Sequence, residues 1–70
     1  MKREPVQSSA IRSIGYDAQN HVLEIEFING RTYQYLNVPE FLYRGLMLAR
    51  SKGEYFGRRI NNRFHGEEVH

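Results

Sequence analysis

Guanidinium groups crowd the last third of the chain. Between residues 44 and 63 stand Arg44, Arg50, Lys52, Arg58, Arg59 and Arg63 against Glu54 alone, a local net charge of +5. Residues 4–43 hold Arg12 and Arg31 against Glu4, Asp17, Glu24, Glu26 and Glu40, a net of −3. Five of the six clustered cations are Arg, whose planar fork grips phosphate oxygens and stacks on bases in ways a Lys ammonium does not. Arg59 and Arg63 recur at i, i+4 with Arg58, Asn61 and Asn62 around them, so a helix there carries a cationic face. Tyr55, with Tyr43 as a second candidate, offers a ring on which a base can stack. The pattern points to phosphate neutralisation plus stacking, with Arg50, Lys52, Tyr55, Arg58, Arg59 and Arg63 as the nucleic-acid-binding residues. The competing reading is a merely solvated helix face, which charge alone also allows.

Other chemistries lack their residues. The chain has no Cys, and His21, His65 and His70 lack the i, i+4 spacing that converges on a metal, so neither a metal nor a cofactor is expected. Ser8 and Ser9 have no His or Asp at an informative spacing, while Glu24 and Glu26 lie along one strand face as solvated residues do. Ser51 is explained as a helix cap before any Ser-Lys nucleophile is needed. The expectation is a non-enzymatic protein.

The elements that must position these side chains fit in one domain. A chain of 70 residues buries about 60% of the surface it exposes when unfolded, which excludes two domains. With five Tyr and four Phe among 40% apolar residues it should fold, and without cysteine dense aromatic packing or self-association must supplement the small core. No apolar run approaches the roughly 20 residues that cross a bilayer, and Met1-Lys2-Arg3-Glu4-Pro5 does not lead into a secretory segment; a cytoplasmic location is expected.

Residues 8–17 read as a strand with a bulge or bend near Ser13-Ile14 or Gly15. After an Asp17-Ala18-Gln19-Asn20 turn, residues 22–27 alternate cleanly, sending Leu23, Ile25 and Phe27 to one face and Glu24 and Glu26 to the other. Residues 31–36 return as a third strand. A two-residue turn over Asn29-Gly30 would set Gln34 and Thr32 among Ile25 and Phe27. A three-residue loop, Ile28-Asn29-Gly30 with Gly30 left-handed, pairs Ile25 with Tyr33 and Leu23 with Tyr35 and avoids burying polar groups at about 1–3 kcal/mol each. The second register is predicted, with both tyrosines mainly in the core and their hydroxyls at its rim.

Val38-Pro39-Glu40 begins a helix that runs to about Arg50 and is apolar nearly all round, with Glu40 and Arg44 its polar stripe. Ser51-Lys52-Gly53-Glu54 has capping-box spacing and starts a second helix, on which Phe56, Ile60 and Phe64 form a buried stripe at i, i+4, i+8. The expected fold is α+β, a three-stranded antiparallel sheet followed by two C-terminal helices packed on one face. Residues 6–64 form the domain, with 1–5 a disordered N-terminal segment and 65–70 a disordered tail.

Ser8-Ser9, Ile14-Gly15-Tyr16-Asp17, Leu23 through Phe27, Gly30, Tyr33-Gln34-Tyr35, Val38-Pro39, Tyr43, Leu46, Ala49 and Ser51-Lys52-Gly53 with Tyr55-Phe56 resemble the KTSC domain family. That family is named from the carboxy-terminal extension of some lysyl-tRNA synthetases, also occurs as a free bacterial domain, and is marked by a central Tyr-x-Tyr. Gly57 and Phe64 depart from the Asn and Tyr the resemblance leads one to expect. The resemblance implies RNA, tRNA included, as a candidate ligand. Together with the charge it favours a small non-catalytic module that binds RNA weakly through a basic C-terminal helix. The alternative is a protein-interaction or self-associating module using the apolar helix 39–50, with a homodimer through Tyr43, Met47 and Leu48.

Overall fold

A computed structural model describes residues 1–70. In chain order the elements are β1 (Arg3–Pro5), β2 (Ile11–Asp17), β3 (Val22–Phe27), β4 (Thr32–Tyr35), α1 (Glu40–Leu48), α2 (Lys52–Arg59) and β5 (Gly66–Val69). The strands form one antiparallel sheet in the order β1-β2-β3-β4-β5.

The β3–β4 hairpin has the predicted register. Leu23 lies opposite Tyr35 and Ile25 opposite Tyr33. Gly30, at φ 91°, takes the left-handed position, its amide donating to Phe27 O at 2.9 Å while Phe27 N donates to Arg31 O at 2.8 Å. Alternation then assigns the two faces. Leu23, Ile25 and Tyr35 form the core with Ile11, Ile14, Val38, Leu42 and Leu46, together with Phe56 and Ile60 from α2 and its end, so both helices cover the same face. Phe56 meets Phe27 and Tyr35 edge-on at 5.4 and 5.3 Å, and such pairs add about 0.5–1.5 kcal/mol beyond burial.

The other face is polar and linked. Arg3 Nη1 donates to Glu24 Oε2 at 3.1 Å and to Thr32 Oγ1 at 3.3 Å, Gln34 Nε2 donates to Glu24 Oε1 at 2.8 Å, and Ser13 Oγ donates to Glu26 Oε1 at 2.8 Å. Arg3 reaches β3 by crossing Gly15, where a Cβ would lie 2.9 Å from Arg3 Cγ.

The sheet has five strands, which corrects the three-strand expectation. Segments 1–5 and 65–70, expected to be disordered, supply the edge strands β1 and β5. Neither carries apolar alternation; their order comes from backbone ladders and from fitted contacts. Leu36 N donates to His65 O at 3.0 Å, and Arg31 stands 3.8 Å from Glu68. Gly66 leaves room for the Tyr35 ring, since a Cβ there would lie 2.5 Å from Tyr35 Cε1. Pro5 on β1 and Glu67 and Glu68 on β5 discourage pairing with further strands.

Two local expectations shift. The irregularity in β2 falls between Ile11 and Ser13, so Arg12 is the extra residue and Ile11, Ser13, Ile14 and Gly15 are all buried. The second helix stops at Arg59: Ile60 caps it and Asn62 adopts a left-handed φ of 67°. Phe64 therefore reaches the core from a turn that aims β5 back along β4, and not as a third helical ridge.

Candidate nucleic-acid interface

Ser51 caps α2, its Oγ accepting from Glu54 N at 3.3 Å. The reciprocal half of a capping box is not formed, and the Glu54 carboxylate instead turns along the helix to stand 3.9 Å from Arg58. α1 has no basic residue in its own last turn. Lys52 supplies that charge from the next helix, Nζ donating to Met47 O at 3.1 Å and to Ala49 O at 2.8 Å. Its ammonium is thus occupied by the end of α1 and is drawn away from the set of free cations.

Where α1 and α2 cross, Gly45 makes the approach possible. A Cβ on Gly45 would sit 2.0 Å from the Tyr55 hydroxyl oxygen and 2.7 Å from Cζ, so the ring lies directly against the α1 backbone. The Arg59 guanidinium carbon stands 5.8 Å from the centroid of the same ring. One side of Tyr55 is therefore covered by Arg59 and its tip by Gly45; the surface it offers to a ligand is the Arg59–Tyr55 pair, not a bare ring.

Arg50, Glu54, Tyr55, Arg58 and Arg59, with Ala49 and Ser51, surround an open depression of about 390 Å³. Three guanidiniums thus share one concavity with one carboxylate. Arg58 and Glu54 keep 76% and 67% of their side chains exposed, so their i, i+4 pairing contributes about 0.3–0.5 kcal/mol and leaves both available. Arg63 lies past the helix end with Nε donating to Arg58 O at 3.2 Å, outside the depression. Of the six residues singled out in the sequence, Arg50, Tyr55, Arg58 and Arg59 are brought together, Arg63 is a neighbour, and Lys52 is diverted.

Tyr43 belongs elsewhere. It stacks on Tyr16 with centroids 4.8 Å apart and planes 8° from parallel, beside a second depression that Glu4, Glu40, Arg44, Met47 and Leu48 also line. The Tyr16 hydroxyl donates to Val38 O, and burial, then the charges of Glu40 and Asp17, push its pKa up. Gly45 and the outward turn of Glu54 escaped the sequence reading. The signal for Gly45 was present: a glycine inside an apolar helix costs about 1 kcal/mol and marks a close approach.

The model of the KTSC domain matches residues 7–64. The chain belongs to the KTSC domain family. A crystal structure of a KTSC domain protein from Yersinia pestis superposes with a TM-score of 0.94 at 47% identity, covering 99% of this chain and 97% of that one. An uncharacterized protein of Stutzerimonas stutzeri is 43% identical over 58 residues, 83% of this chain and 82% of its own length. A lysine-tRNA ligase of Nostoc punctiforme is 33% identical over 63 residues, 90% of this chain but 11% of the ligase. In this KTSC domain the Tyr33-Gln34-Tyr35 marker is architectural. Tyr35 is 7% exposed with its ring 6.3 Å from that of Tyr33, and burial, with Tyr33 adding to it, pushes its hydroxyl pKa up. Gln34 points the other way, into the polar network of the sheet's back.

Proposed function

We propose that the domain is a cytoplasmic, non-catalytic module that holds single-stranded RNA weakly on the α2 side of the molecule. The observation that carries this is the depression in which Arg50, Arg58 and Arg59 converge with a single carboxylate, Glu54, to answer them. Phosphates supply the missing negative charge, and the Arg59–Tyr55 pair supplies a plane for a base. The likeness to a segment of a lysine-tRNA ligase, a protein named for joining lysine to tRNA, supports RNA as the polymer. One 70-residue domain offers few base-edge contacts, so binding is dominated by the backbone and is salt-sensitive.

Fluorescence anisotropy with a short single-stranded RNA tests it. Three phosphate contacts give a log–log salt slope near −2, and Arg58→Ala with Arg59→Ala should flatten that slope by about 1.4 and weaken binding by roughly tenfold or more. Unchanged affinity and slope in the double variant would remove the proposal.

The exposed stripe of α1 motivates a second reading, self-association. Phe41 and Leu48 are 68% and 85% exposed one heptad apart, with Met47 beside them. Since Tyr43 is engaged by Tyr16, such a contact would centre on Phe41 and Leu48. Sedimentation over a wide concentration range, with Leu48→Arg as the disrupting variant, decides it: a single monomeric species throughout would dismiss this reading.

A further inference from the structure

Glu54 is the anomaly of the RNA site, and any role for it as a ligand contact rests on the RNA-binding proposal. A carboxylate among Arg50, Arg58 and Arg59 opposes phosphate binding, yet its structural employment is slight. It does not close the capping box, because its carboxylate does not return to the Ser51 backbone amide, and at 3.9 Å from Arg58 it lies beyond hydrogen-bond distance. Its side chain is 67% exposed and borders the same depression as the Arg59–Tyr55 pair. One side of the Arg59 guanidinium is taken by Tyr55, while the residue remains exposed.

We propose that Glu54 is a base-reading carboxylate. With an unpaired base stacked on Arg59 and flanking phosphates held by Arg50 and Arg58, Glu54 accepts a hydrogen bond from an exocyclic amine. A carboxylate is acceptor-only, so it pairs with the N4 amine of cytosine and repels the O4 carbonyl that uracil presents at the same position. The site therefore prefers cytosine to uracil among pyrimidines of equal size. The depression, about 390 Å³ and open to solvent, falls within the range of small-ligand sites and has room for a base.

Anisotropy titrations with labelled oligocytidylate and oligouridylate of about ten nucleotides test this, on wild type and on Glu54→Gln. Wild type should bind the cytidine polymer about three- to tenfold more tightly, the discrimination of one hydrogen-bonded base edge. Gln both donates and accepts, so Glu54→Gln should bring the two polymers to equal affinity while tightening both, a negative charge having been removed. The fold should survive, since Ser51 uses the backbone amide of residue 54, and circular dichroism checks it. Equal affinities in wild type, or a cytidine preference that persists in Glu54→Gln, overturn the assignment of Glu54 while the RNA reading stands. Binding of neither polymer overturns both.

Discussion

On the back of the sheet Arg3 reaches Glu24 at 3.1 Å and Thr32 at 3.3 Å, and Glu24 also accepts from Gln34 at 2.8 Å. Along α2 Arg58 stands 3.9 Å from Glu54, and Arg50 and Arg59 face the same depression with no closer anion. The residue types are alike; the supports differ. Strands in fixed register set Arg3, Glu24 and Gln34 in one row across β1, β2, β3 and β4, with Gly15 vacated beneath the Arg3 stem, so charge is spent on holding strands together. A two-turn helix offers its cations only one i, i+4 partner, and the surplus positive charge faces solvent. Charge locked by backbone register is architecture, whereas charge left over on a helix is free for a ligand. Substitutions should therefore separate: on the sheet's back they lower stability and spare binding, and on α2 they do the reverse.

The largest effect should come where the two properties join. In Gly45→Ala the new methyl meets the Tyr55 ring, 2.0 Å from its hydroxyl and 2.7 Å from Cζ, so the ring must swing outward or the helices must part. Overpacking of this kind costs about 2–3 kcal/mol, and 1 kcal/mol moves the Tm of a domain this size by about 4–8 °C. Thermal unfolding reads that loss. RNA anisotropy should fall with it, because Tyr55 carries Arg59; stability lost with binding intact would mean the Arg59–Tyr55 pair is no part of the site. Next in size is Glu24→Ala, which leaves Arg3 and Gln34 without their shared acceptor. Glu24 is 14% and Arg3 32% exposed, so solvent recovers part of the loss and about 1–2 kcal/mol is expected in denaturant unfolding, with RNA affinity unchanged. A drop in affinity instead would break the division between the two regions.

What was legible in the sequence follows the same division. Leu23-Glu24-Ile25-Glu26-Phe27 alternates because one face is buried, and the need to keep Thr32 and Gln34 out of that face was sufficient to set the hairpin register that the structure shows. β1 and β5 carry no such pattern: Arg3-Glu4-Pro5 and Gly66-Glu67-Glu68-Val69 are placed by hydrogen bonds between backbones far apart in sequence, to which side-chain periodicity is blind. The helical stripe Phe56, Ile60, Phe64 identified two core residues and a third that packs half-buried against them, but drew the shape joining the last two wrongly, since a turn returns Phe64 toward the core as well as a helix would. At the candidate site, cation spacing singled out Arg58 and Arg59, which the structure sets beside one depression. It could not show Lys52 bending back to Met47 O and Ala49 O, because an N-terminal helix position looks the same whether its side chain faces solvent or the preceding helix.

Lys52 consequently tests the comparison on a finer scale. Lys52→Met keeps the apolar stem and removes the two donated bonds to the end of α1, which should lower stability by about 0.5–1 kcal/mol. Binding should change less than twofold, well below the effect of Arg58→Ala, because the ammonium is already engaged. A loss of affinity and of salt slope equal to that of an α2 arginine would return Lys52 to the RNA site and show that its contacts to α1 are exchanged for phosphate.

The smallest effect is expected at Asp17, outside both regions. Its carboxylate accepts from Asn20 Nδ2 at 2.9 Å and from the Gln19 and Asn20 amides at 3.1 and 3.2 Å. The Asn20 side chain, then its backbone amide, holds the pKa below the ordinary 3.8. A depressed folded pKa means that the unfolded chain binds the proton more readily, so this stabilisation is complete above the ordinary value and is lost as pH falls through the folded one. Asp17→Asn keeps an oxygen for the turn amides but carries no charge; its stability should be slightly lower at neutral pH and should lack this acid-dependent loss, measured by denaturant unfolding at stepped pH. This carboxylate is committed to its own turn, as Glu24 is to its cross-strand partners, so RNA affinity at neutral pH should be untouched. If Asp17→Asn altered RNA binding, the determinants would extend to the β2–β3 turn, and a surplus of cations on α2 would no longer suffice to account for them.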